Sequence, residues 1–169
     1  MKVLRKSFPI IQDFSKLCLS LMLLGWGSGL LAQESTKAIT EEARVEAAVN
    51  RMFEGMYKGD SAMVHSVMGE DVRFETTTFN KEGDPVLFQG SLESFLEAVG
   101  TPHDAIWDER ISNLKVMIDD NLAIAWMDYS FYVGENFSHC GVNAMSLFRS
   151  PDGWEIIYII DTRRKENCK

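Results

Sequence analysis

Residues 129–164 read Tyr129-Ser-Phe-Tyr-Val-Gly-Glu-Asn-Phe-Ser-His-Cys-Gly-Val-Asn-Ala-Met-Ser-Leu-Phe-Arg-Ser-Pro-Asp-Gly-Trp-Glu-Ile-Ile-Tyr-Ile-Ile-Asp-Thr-Arg-Arg164. Aromatic and β-branched residues dominate, and turn formers cut the run at Gly134-Glu-Asn136 and Ser150-Pro-Asp-Gly153. The pattern predicts successive antiparallel strands over 122–133, 137–149 and 154–164, joined by tight turns. Polar side chains set among apolar ones describe the wall of a cup: a curved sheet with one face turned inward.

Upstream, Asp119-Asp-Asn121 separates the first of these strands from another over 106–118. Thr40 is a good N-cap, with Glu41 and Glu42 favourably placed in the first turn of a helix. Val45, Val49, Met52, Phe53, Met56 and Tyr57 recur at helical spacing until Gly59 stops the run. Asp60 caps a second helix with Met63, Val64, Val67 and Met68 on its apolar face, ended by Gly69. Residues 71–79 read as a strand, 80–85 as a turn and 86–88 as a short return strand. Ser91 caps a third helix carrying Leu92, Phe95, Leu96 and Val99, which stops at Gly100. The order α-α-β-β-α-β-β-β-β is that of one α+β domain over 41–169.

Residues 1–32 have the pattern of a signal peptide: Lys2, Arg5, Lys6 and Lys16 precede the apolar run 17–24, and Ala32 offers the cut. Residues 33–40 are then a polar lead, and the protein is expected to be exported, periplasmic or secreted, with no membrane attachment once the signal is cleaved. Removing Lys2, Arg5, Lys6, Lys16 and Asp13 takes the net charge from −8 to −11. So acidic a chain repels phosphate backbones, which argues against nucleic acid as a partner.

With Cys18 gone, Cys140 and Cys168 remain, and an even count in an oxidising compartment allows one disulfide. An extended tail would carry Cys168 roughly 16 Å past the sheet. A bridge therefore requires the tail to turn back, for which Asn167 is a permissive residue. Two free thiols are the alternative.

The chain resembles the nuclear transport factor 2-like superfamily, in its bacterial branch of SnoaL-like and ketosteroid isomerase-like proteins. The resemblance rests on three motifs in order: Tyr57-Lys-Gly-Asp60 ending the first helix, Gly69-Glu-Asp-Val-Arg-Phe74 entering the first strand, and Asp152-Gly-Trp-Glu-Ile156 entering the last. It implies a cone, in which a strongly bent antiparallel sheet wraps three N-terminal helices and leaves a pocket. The family's isomerase uses an Asp base with a Tyr and a protonated Asp as oxyanion hole. By motif spacing those positions fall on Thr76, Met52 and Ala144, none of which titrates. The expectation is a pocket for a small molecule without the isomerase set and without a cofactor.

Directly opposed residues of antiparallel strands share a face. Propagating the Arg149–Trp154 pairing through unbulged strands yields an inner set with Met127, Tyr129 and Phe131, then Cys140 and Ala144, then Asp161 and Arg163. Tyr129, Asp161 and Arg163 cluster toward one end, where they suit a polar or anionic ligand, a structural ion pair at the rim, or a cyclase, dehydratase or isomerase. The expected pocket thus holds Met52, Thr76, Met127, Tyr129, Phe131, Ala144, Asp161 and Arg163. The outer set holds Trp126, Met145, Tyr158 and Ile160, apolar enough to suggest a homodimer or an envelope interaction surface. His65, His103 and His139 follow no metal-ligand spacing, and no metal is expected.

Overall fold

The computed structural model describes residues 38–168; the expected signal peptide and most of the lead segment lie outside them. Helix α1 (Glu41–Lys58) begins where the Thr40 hydroxyl accepts the Ala43 N–H at 3.2 Å, and it ends at Gly59, whose φ of 65° suits glycine. The short α2 (Ser61–His65) is capped by the Asp60 carboxylate, which accepts the Met63 N–H at 2.9 Å. It stops earlier than the sequence suggests. Gly69 is no helix terminator: it lies inside β1 (Met68–Phe79). A side chain there would meet Ile157 at 3.0 Å, so the glycine permits close strand packing instead.

The remaining elements are β2 (Pro85–Gly90), α3 (Leu92–Gly100), β3 (Trp107–Asp119), β4 (Leu122–Val133), β5 (Asn136–Ser150) and β6 (Gly153–Thr162). The six strands form one curved, unclosed sheet in the order β2-β1-β6-β5-β4-β3. All pairs are antiparallel except β1 with β6, which run parallel. The apolar stripe of α1 supplies Val45, Val49, Met52, Phe53 and Met56 to the core. It packs with Ala123, Ala125, Met127, Met145, Leu147 and Ile156 from the sheet. Each large side chain buried there contributes roughly 1.5–3 kcal/mol. The start of α1 is tied to the β5–β6 hairpin: Trp154 Nε1 donates to Glu41 at 3.0 Å, and Arg149 pairs with the same carboxylate at 3.3 Å.

Irregularities in the ladders decide which residues face inward. Near Asn113, whose φ is 53°, the β3–β4 register shifts between Ser112 and Lys115. The β4–β5 ladder runs from Phe131↔His139 to Tyr132↔Phe137, leaving Ser138 as the extra residue. The β5–β6 ladder runs from Ser146↔Tyr158 to Leu147↔Ile156, leaving Ile157. Each bulge flips the side-chain alternation beyond it.

The face expected for β5 is therefore reversed. Met145, expected on a dimer face, is a core residue at 1% exposure. Ala144, expected in the pocket, lies on the outer face opposite Trp126 and Ile160. Cys140 also lies outside. The hairpin pairing Arg149↔Trp154 is as the turn implied, but beyond Ile157 every partner moves by one. Trp154 and Ile156 are consequently buried, and Ile157 is exposed.

Candidate functional site

The inner face of the sheet, α1 and α3 line an open-mouthed cavity of about 300 Å³. Met52 and Met56 from α1, Phe95 from α3, Phe74 from β1 and Ile159 from β6 form its apolar wall. The Phe74 and Phe95 rings pack with centroids 5.2 Å apart. Glu109, Tyr129, His139, Asn143, Asp161 and Arg163 form the polar wall, and Thr76 also contributes.

Of the residues expected in the pocket, the structure brings Met52, Thr76, Tyr129, Asp161 and Arg163 to the cavity. Met127 is fully buried in the core beneath it, and Phe131 packs against that core and the His139 ring. Ala144 is outside, and its neighbour Asn143 takes the inward position. Sequence reasoning missed Glu109, His139 and Asn143.

The polar wall is built on the pairing of the strands. Asn143 on β5 pairs with Asp161 on β6, and Tyr129 on β4 pairs with Gly141 on β5. Tyr129 reaches across Gly141 so that its hydroxyl lies 2.9 Å from Asp161 Oδ2 and 3.0 Å from the Thr162 carbonyl, the two acceptors for its one proton. Glycine is required at 141. A β-carbon there would lie 1.8 Å from the Thr162 carbonyl oxygen and 2.6 Å from the Tyr129 ring. With that carbonyl turned toward Tyr129, the Val142 N–H donates to the Thr162 hydroxyl at 3.0 Å. Arg163 approaches Asp161 Oδ2 at 3.6 Å from the rim, its side chain half exposed.

Glu109 extends from β3, and its Oε1 accepts Asn143 Nδ2 at 2.7 Å. Burial pushes its carboxyl up to about 7; the Asn143 hydrogen bond opposes the rise and the nearby Asp161 adds to it. The Tyr129 hydroxyl is pushed well above the ordinary phenol range, first by burial and then by Asp161. His139 is pushed down to about 4 by burial and by Arg163, so its ring is neutral at pH 7. That ring sits edge-on to Tyr129 and beside Phe131, with Nδ1 bonded to the Ser138 hydroxyl at 3.0 Å. A carboxyl that exchanges its proton near pH 7, beside a second carboxyl held by Tyr and Arg, can move protons as well as bind. Among the described residues no three His, Cys, Asp or Glu side chains group as metal ligands.

Outside the cavity, Cys140 and Cys168 form a disulfide with Cα atoms 5.8 Å apart. Arg164 bonds back to Cys140 through two backbone hydrogen bonds of 2.8 and 2.9 Å, and Asn167 has a φ of 53°. The tail turns back there, which brings Cys168 within bridging reach.

No protein-family model and no curated protein matches the chain. Solved structures do. One is a protein of unknown function from Mycobacterium tuberculosis, with a TM-score of 0.60 and 15% identity over 73% of this chain and 72% of that one. A second is an NTF2-like protein with a cystatin-like fold from Novosphingobium aromaticivorans, with a TM-score of 0.59 and 11% identity over 75% and 84%. A third is a proposed dehydratase from the NTF2-like family of Streptomyces avermitilis, with a TM-score of 0.56 and 13% identity over 73% and 96%.

Proposed function

We propose that this chain, whose nuclear transport factor 2-like fold those likenesses establish, binds a small, partly apolar molecule in the cavity between α1 and the inner face of the sheet. The observation that carries this reading is the division of the cavity wall. Met52, Met56, Phe74, Phe95 and Ile159 suit an apolar body, and the polar groups converge at Glu109, Asn143 and Asp161. Untargeted mass spectrometry of protein purified from its native host tests it. A co-purifying small molecule that is lost in a Thr76→Trp variant supports the reading; identical small-molecule profiles for both proteins count against it.

A second reading is an enzyme of the isomerase or dehydratase type. The observation that favours it is the Glu109 carboxyl, poised near pH 7 beside Asp161 and Tyr129. The isomerase set itself is not the basis: Met52, Thr76 and Ala144, where motif spacing puts it, carry no titratable group, and Ala144 faces away from the cavity. In this reading Glu109 is the base, and Glu109→Gln abolishes turnover while leaving the fold intact.

Two further expectations stand as proposals. Export is supported by the Cys140–Cys168 bridge, which suits an oxidising compartment. Self-association through the outer face of the sheet is supported by Trp126, which is 48% exposed, with Tyr158 and Ile160 on the same face.

A further inference from the structure

The chemistry of the ligand's polar end follows from an inventory of donors and acceptors, and it rests on the reading that the cavity binds a small molecule. Three inner-wall donors face carboxyl groups. Tyr129 lies against Asp161, Asn143 Nδ2 donates to Glu109, and Arg163 approaches Asp161. Three acceptors remain unengaged. No described hydrogen bond engages the second oxygen of Glu109, the second oxygen of Asp161 or the Asn143 carbonyl. No buried side-chain oxygen among the described residues lacks a partner, so these three carry exposed surface, and their residues line the cavity. Two inward carboxyl groups share a single cation, and that cation is half exposed at the rim.

We infer that the ligand of this cavity carries a cationic hydrogen-bond donor, an ammonium group on an apolar body, and delivers it to the open oxygens of Glu109, Asp161 and Asn143. The ammonium supplies the positive charge that the carboxyl pair lacks, and its three N–H donors match three open acceptors. The faces of Phe74 and Phe95 suit the carbon atoms next to a cation. An anion would have to lie beside two carboxyl groups, and a carbonyl brings no donor of its own to the open acceptors. Binding displaces the Glu109 proton to solvent, which makes it pH-dependent.

The test is a ligand-observed NMR titration of the purified protein with matched probes. Phenylalkyl, cyclohexylalkyl and decalin-sized bodies each carry an ammonium, a hydroxyl, an aldehyde or a carboxylate. The ammonium series is expected to bind at least tenfold more tightly than its counterparts at pH 7.5. Its affinity should rise about tenfold from pH 6 to pH 8 as Glu109 gives up its proton. Glu109→Gln should reduce the preference for ammonium over hydroxyl to below threefold, and Asp161→Asn should reduce it independently. Tighter binding of the hydroxyl, aldehyde or carboxylate series overturns the inference but leaves a small-molecule site standing. A preference unchanged in both variants also overturns it. Binding by no member of any series overturns this inference and the underlying site reading together.

Discussion

Asn143 links the two carboxyl groups of the cavity: it is the direct cross-strand partner of Asp161, and its side-chain amide donates to Glu109 at 2.7 Å. Through it a residue of β6, the strand next to β5, and a residue of β3, two strands away on the other side, share one polar surface. The link is diagonal across the sheet and depends on the inward face of β5.

The Glu109 carboxyl makes stability depend on pH. Its folded value of about 7 exceeds the unfolded value of 4.5, so the folded state binds more protons between those limits and stability falls as pH rises through that window. His139, lowered from 6.5 to about 4, acts in the opposite direction over its own window, where stability is lost as pH falls. Above pH 6.5 the Glu109 contribution dominates this pair. Glu109→Gln should therefore stabilise the protein by roughly 2 kcal/mol more at pH 8 than at pH 5. Urea unfolding at the two values checks this, and an equal effect at both would contradict it.

Gly141 holds the polar wall together by having no side chain. Gly141→Ala places a methyl group where the Thr162 carbonyl and the Tyr129 ring now lie, and backbone atoms cannot yield cheaply. The expected cost is about 3 kcal/mol. Tyr129 should also lose its bond to Asp161, which ultraviolet titration would register as a fall in the tyrosine pKa. A variant of native stability and unchanged titration would show that the strands accommodate the methyl.

The Cys140–Cys168 bridge closes a segment of sequence separation 28. In the chain-entropy model a loop of that size contributes about 3.6 kcal/mol. Cys168→Ser should lower stability by that order and free the tail beyond Arg164. Hydrogen exchange at the Cys140 and Arg164 amides reads the second effect, because those amides now bond to each other's carbonyls. Protection unchanged in the variant would mean that the tail is held without the bridge.

Self-association separates the outer face from the core. Trp126→Lys with Ile160→Glu should yield a folded monomer, whereas Met145→Glu should unfold the chain because Met145 is buried. Light scattering with circular dichroism distinguishes the two results. A monomer in the unmodified protein at high concentration would remove the proposal.

The element order, the caps at Thr40, Asp60 and Ser91, and the hairpin pairing Arg149↔Trp154 were legible in the sequence, because local periodicity and turn chemistry set them. The inward direction of Tyr129, Asp161 and Arg163 was legible too. Glu109 was not. In an unbulged β3–β4 hairpin it would stand opposite Tyr132 and point outward; the shift near Asn113 sets it opposite Phe131 instead. Asn143 and His139 were hidden in the same way by the extra residue Ser138. A bulge is stabilised by tertiary packing around it, so nothing in the local alternation announces it.

The central claim is that the cavity of about 300 Å³ between α1 and the inner face of the sheet receives a small molecule. A ligand-observed NMR fragment screen run in parallel on the protein and on a Thr76→Trp variant, whose indole takes up part of that space, measures this directly. The account predicts fragments with an apolar body and a polar end that bind the protein and lose at least tenfold in affinity for the variant. A folded variant that binds every such fragment as well as the unmodified protein would contradict it.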